Sequence, residues 1–136
     1  MITITRQFNF KAKDFFDYLE EQLIPAIKKV RGNDMPVVLS KGTKYEMDGA
    51  KVEITDYERN KVYGAHFKTS RLELQIKYVT EDNAEGVKIA FSEDMLSFDR
   101  EKHGKLQTLF YNWQLKMGAR KELKRMGDNV YANMAA

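Results

Sequence analysis

The chain has 136 residues, 43% of them hydrophobic and 32% charged, with a formal net charge of +3 and no cysteine. That length supports one domain around one sizeable core, and the composition excludes a disordered chain. The missing thiols exclude disulfides, thiolate metal sites and cysteine nucleophiles, and with no apolar run of membrane-spanning length the expected compartment is the cytoplasm.

At the start, Ile2, Ile4 and Phe8 alternate with Thr3, Thr5 and Gln7, the two-residue period of a half-buried strand rather than the basic, then apolar, opening of a secretory signal. From Asp14 the period lengthens, and Phe16, Leu19, Leu23, Ile27 and Val30 form one helical stripe. Pro25 removes a backbone donor and crowds the preceding turn, so an interruption is expected there, as a kink or a restart. Residues 31–42 hold Gly32, Asn33, Asp34, Pro36 and Gly42 without a sustained period and read as a loop.

Strand signals then follow closely. Thr43 to Met47 and Lys51 to Tyr57 flank Asp48-Gly49, a hairpin dipeptide. After a turn at Glu58 to Asn60 come "KVYGAHFKTS" and "RLELQIKYV", the latter with Leu72, Leu74, Ile76 and Tyr78 on one face. A turn through "TEDNAEG" leads to "VKIAFSEDM", in which Val87, Ile89, Phe91 and Met95 share a face with Glu93. Arg100 to Met134 reads as a long helix with Leu106, Leu109, Phe110, Trp113 and Met117 on its apolar stripe, weakened locally by Gly118 and Gly127. Five or six antiparallel strands with one apolar face need a cover, and the expected α+β architecture is a curved sheet wrapped around the terminal helix, in one domain over residues 1–136.

The entry "FNFKAKDFFDYL", the tight strand run and the amphipathic C-terminal helix resemble the helix-grip fold of the START-like, or SRPBCC, superfamily. Within it, "YGAHFKTSRLELQIKYV", "VKIAFSEDM" and "LKMGARKELKRM" resemble a small bacterial group catalogued as domain of unknown function 3284. The superfamily resemblance implies a pocket between sheet and last helix for lipids or other apolar small molecules, and in some members an enzyme site or a partner surface; the group implies no assigned activity.

Two polar residues fall on faces otherwise reserved for the core. Glu93 sits on the apolar side of the last strand, where an ionised group is costly unless it reaches solvent or a donor. It is either a rim residue or a ligand-contacting carboxylate. On a regular helix Arg120 points within about 20° of Trp113 and would face the pocket, pairing with Glu93 or holding an anionic group; a bend at Gly118 would turn it outward. Tyr45, Tyr63, Tyr78 and Trp113 offer apolar rings with polar handles, suited to core filling or to a pocket wall. The expected ligand-binding set is Tyr45, Tyr63, Phe67, Tyr78, Phe91, Glu93, Trp113, Met117 and Arg120. Neither His66 nor His103 has metal-ligand spacing or a nucleophile beside it, so neither metal, cofactor nor catalytic residue is expected.

Arg100 to Ala136 carries eight basic residues against three acids. Its cluster of Lys116, Arg120, Lys121, Lys124 and Arg125 lacks the aromatic interleaving of a nucleic-acid platform and reads first as a solvated helix face. The leading functional expectation is a module binding a small apolar or amphipathic molecule. A protein-interaction module with a filled interior is the alternative, and an enzyme using Glu93 as its acid or base stands third.

Overall fold

The computed structural model describes residues 2–32, 35–47, 49–70, 73–96 and 105–135, the side chains of Met47 and of residues 105–116 excepted. The elements run β1 (Ile2–Phe8), α1 (Ala12–Arg31), β2 (Lys44–Met47), β3 (Ala50–Glu58), β4 (Val62–Lys68), β5 (Glu73–Asn83), β6 (Gly86–Met95) and α2 (Lys105–Ala135). Six antiparallel strands form one sheet in the order β1-β6-β5-β4-β3-β2. β2 to β6 are a meander of neighbours in sequence, and only β1 joins from a distance, pairing Ile2 with Glu93 and Phe8 with Val87. A bulge between Ile54 and Asp56 interrupts the β3–β4 register, a device that bends a strand and increases its twist.

The alternation read in the sequence places the core. Val52 and Ile54 on β3, Tyr63 and Ala65 on β4, Tyr78 on β5 and Val87, Ile89 and Phe91 on β6 are buried on one face. α1 packs on β2 and β5, α2 on β1 and β6, and the two helices touch each other. α1 contributes Ala12, Phe15, Phe16, Leu19 and Ile27 to the core. Val30, expected on that stripe, is exposed at the helix end.

α1 does not restart at Pro25: it runs on through that residue as one helix. Pro25 and Glu21, one turn earlier, both lie on the exposed side, so the carbonyl that loses its partner is on the side that water can reach. The helix begins with a tertiary cap, since the Ala12 N–H donates to Asp82 Oδ1 (2.8 Å) while the Lys11 N–H donates to Asp14 Oδ2 (2.9 Å). Its flank is tied to the β3–β4 turn by Arg59, which pairs with Asp17 and with Glu20 (Nη1 to Oε2, 2.9 Å), and the Tyr57 hydroxyl donates to Glu20 Oε1 at 2.7 Å.

The turn expected through residues 80–86 is much tighter. Asn83 pairs with Gly86, so β5 and β6 run on to a two-residue loop. Gly86 has a φ of 141°, and a Cβ there would lie 2.1 Å from the Phe8 carbonyl oxygen, so only glycine lets the chain entering α1 cross the hairpin so closely.

Among the described side chains of α2 the buried residues are Ala119, Leu123, Gly127 and Val130. At 100° per residue they lie roughly 90° around the helix from position 113, so they are not on the face that the sequence assigns to the large apolar residues. Small residues among them bring the helix close to the sheet: a Cβ on Gly127 would lie 2.2 Å from Phe8 Cε1. Phe8 stacks on Phe10 (5.0 Å), Phe10 meets Tyr131 edge-on (5.1 Å), and the Tyr131 hydroxyl accepts the Asn9 N–H at 2.9 Å. No described helix is long and apolar enough to cross a membrane.

Candidate functional site

The middle of the inner sheet face is aromatic. Tyr63, Tyr78 and Phe91 lie on three adjacent strands, with ring centroids 6.2 Å apart for Tyr63 and Tyr78 and 4.6 Å apart for Tyr78 and Phe91, and Phe15 of α1 covers Tyr78 at 5.3 Å. Burial is the first cause that raises the pKa of Tyr45, Tyr63 and Tyr78, so all three phenols stay protonated and available as donors.

Glu93 stands one pair further along the same face. Its Cα partners are Ile2 on β1 and Ile76 on β5, and both of these pack against the core. The carboxylate is half-buried. Burial raises its pKa, and the like charge of Glu122 on α2 raises it further. Among the described residues no side chain forms a hydrogen bond or ion pair with it. The Tyr78 hydroxyl likewise makes no hydrogen bond among them. After burial, that phenol feels Glu122 most strongly, then Arg125 in the opposite sense, then Glu93 and Tyr18. Two carboxylates, one guanidinium and two phenols thus share one locality between β5, β6 and the two helices.

The cation there is not the expected one. Arg120 is exposed, as is Met117 at 41%, because the buried stripe of α2 has moved round to Ala119 and Leu123. Arg125, which is also exposed, is the cation that acts on the Tyr78 phenol, and it is held by Glu122, with Nε 3.0 Å from Oε2. Glu122 is not among the residues expected from the sequence; its spacing of three from Arg125 is the available signal. That cluster is partly neutralised, since Lys124 also pairs with Asp128 at 3.6 Å.

Of the other expected residues, Tyr45 is buried at the β2 edge of the face and Phe67 is half-buried opposite Val52 and Leu74. Leu72, His103 and the side chain of Trp113 lie outside the described residues. His66 is on the outer face, where Nε2 is 2.8 Å from Glu73 Oε1. It borders a depression of about 440 Å³ lined chiefly by Lys44, Glu46, Lys51, Glu53 and Lys68. Among the described residues no three His, Asp or Glu side chains come together to hold a metal.

A six-stranded antiparallel sheet, a helix after the first strand and a long closing helix define a Bet v1-like helix-grip domain. The chain belongs to the family described as Domain of unknown function (DUF3284), which matches residues 2–112. Solved structures share the fold at low identity. Protein MLL2253 from Mesorhizobium loti is 12% identical with a TM-score of 0.63, covering 97% of this chain and 96% of its own. SA2116 from Staphylococcus aureus, a protein of unknown function, is 10% identical with a TM-score of 0.62, covering 96% and 90%. Ara h 8.0201, a Bet v1-like protein of the START superfamily, is 12% identical with a TM-score of 0.59, covering 96% and 97%. No curated protein sequence matches the chain.

Proposed function

We propose that this protein binds a small molecule with an apolar body and one polar end, held between the inner sheet face and α2. The observation that carries the reading is Glu93, a half-buried carboxylate without a bonding partner among the described residues, at the end of an aromatic row on a face otherwise committed to the core. A stability-driven sequence would place an apolar residue there, because an unpaired carboxylate taken from water costs free energy that nothing nearby returns. The Bet v1-like fold, known for holding small hydrophobic ligands in this region, supports the same reading. Tyr78 and Phe91 with Tyr63, Tyr45 and Phe67 supply the apolar wall, and Glu93 fixes the polar end. Met117 and Arg120 drop out, being turned to solvent.

Native mass spectrometry of gently purified protein, paired with titration of a polarity-sensitive dye, tests this. The expected result is a retained mass lost on denaturation and saturable dye binding that Phe91→Ala or Tyr78→Ala weakens. Protein of bare mass that takes up no dye overturns the reading.

A further inference from the structure

Resting on that binding reading, we propose that the polar end of the site selects a protonated amine carried on an apolar body, with the Glu93 carboxylate as its counter-ion and Tyr78 beside it.

The argument is one of charge and of unused hydrogen-bonding capacity. Glu93 and Glu122 bring two negative charges to this locality. Arg125 brings one positive charge, already committed to Glu122 through two N–H donors. Arg120, which would have reversed the balance, is exposed. Among the described residues the locality therefore carries a net negative charge concentrated on Glu93. A second observation points the same way: Tyr78, the diagonal cross-strand neighbour of Glu93 on this face, is 1% exposed, and its hydroxyl makes no hydrogen bond among the described residues.

An ammonium group has three donors and no acceptor, and it is attracted to the faces of aromatic rings. It can give one hydrogen bond to the Glu93 carboxylate and one to the Tyr78 phenol oxygen while the aromatic row receives its hydrocarbon. A ligand carboxylate would instead add a third negative charge to the same end. A neutral alcohol could still donate one hydrogen bond to the carboxylate, but it would lack the attraction between opposite charges, which is stronger in a partly buried site than in bulk water.

Three probes of equal chain length separate these cases: n-octylammonium, n-octanol and n-octanoate, titrated calorimetrically at pH 7.5 and fixed ionic strength. Wild type should bind octylammonium at least about tenfold more tightly than octanol, with octanoate weakest. Glu93→Gln should abolish the advantage of octylammonium over octanol, whereas Glu93→Asp, which keeps the charge, should retain a preference. Far-UV circular dichroism checks that each variant is folded. Equal binding of the three probes, or an amine preference that survives Glu93→Gln, overturns the amine assignment and leaves the binding site standing. Failure of all three probes to bind, together with failure of the dye, overturns both.

Discussion

Replacing Gly127 by alanine sets a methyl carbon against Phe8. The new Cβ would lie 2.2 Å from Cε1, 2.9 Å from Cδ1 and 3.0 Å from Cζ of that ring, whereas two carbons rest at about 3.5–4.0 Å. Either the ring or the helix must retreat by more than about 1 Å. The ring has nowhere to go, since Phe8 is 5% exposed and stacked on Phe10, which is itself pinned against Tyr131. Overpacking of this kind costs about 1–3 kcal/mol, against which alanine regains about 1 kcal/mol of helix propensity. Gly118, on the same helix, has nothing within 4 Å, so Gly118→Ala should show the propensity gain alone. The difference between the two variants isolates the contact, and urea unfolding followed by far-UV circular dichroism at 25 °C measures it through the shift in midpoint. We expect Gly118→Ala to be more stable than wild type and Gly127→Ala to fall about 1–3 kcal/mol below Gly118→Ala. In a Phe8→Ala background the penalty should vanish and Gly127→Ala should become favourable. If Gly127→Ala matches Gly118→Ala in the wild-type background, α2 does not rest on Phe8 and the docking of this helix described above is wrong.

Glu93→Gln should raise the melting temperature at neutral pH. Because the native carboxyl has a raised pKa, its contribution to stability is complete below the unfolded value and is lost as pH rises through the native one. The gain from glutamine should therefore shrink towards zero below about pH 4, and it should be modest throughout because the group is half-exposed; calorimetric scans that differ equally at both pH values would refute the assignment. Asp82→Ala removes the acceptor of the Ala12 N–H and should cost about 1 kcal/mol, as loss of a helix cap does. Asp82→Asn, which keeps an accepting oxygen, should cost less in the same thermal scans, and equal losses would argue against a capping role.

The meander was legible because strand alternation is a local signal. Leu74, Ile76 and Tyr78 announce their face, and Asp48-Gly49 announces its turn, which closes with Met47 paired to Ala50 around Gly49 at a φ of 80°. The β5–β6 hairpin was read too short because Thr80, Asp82 and Asn83 look like loop residues. Their polar groups are occupied at a distance: the Thr80 hydroxyl donates to the Asn60 carbonyl, Asp82 caps α1, and the Asn83 amide donates to Gln7. The inward facing of Glu93 is legible by parity alone, since a strand's facing is fixed once its neighbours are. Arg120 was misplaced for the opposite reason. Large apolar residues set the helix phase in the reading, whereas the second half of α2 docks through Ala119 and Gly127, whose contribution is the absence of bulk and leaves no hydropathy signal. Glu122 and Arg125 could not be joined to Glu93 from the sequence, because that juxtaposition depends on the phase.

The pairing of Ile2 with Glu93 bears on how the chain assembles. β1 has only β6 for a sheet neighbour, and nearly the entire meander must be synthesised before that neighbour exists. Short-range hairpins from β2 to β6 can form as they leave the ribosome, while closing the long span back to the first strand is entropically the slow event. A seven-residue ribbon that emerges before the other strands is thus among the last to be seated, and until then the flank of β6 it will cover stands open to a wrong partner.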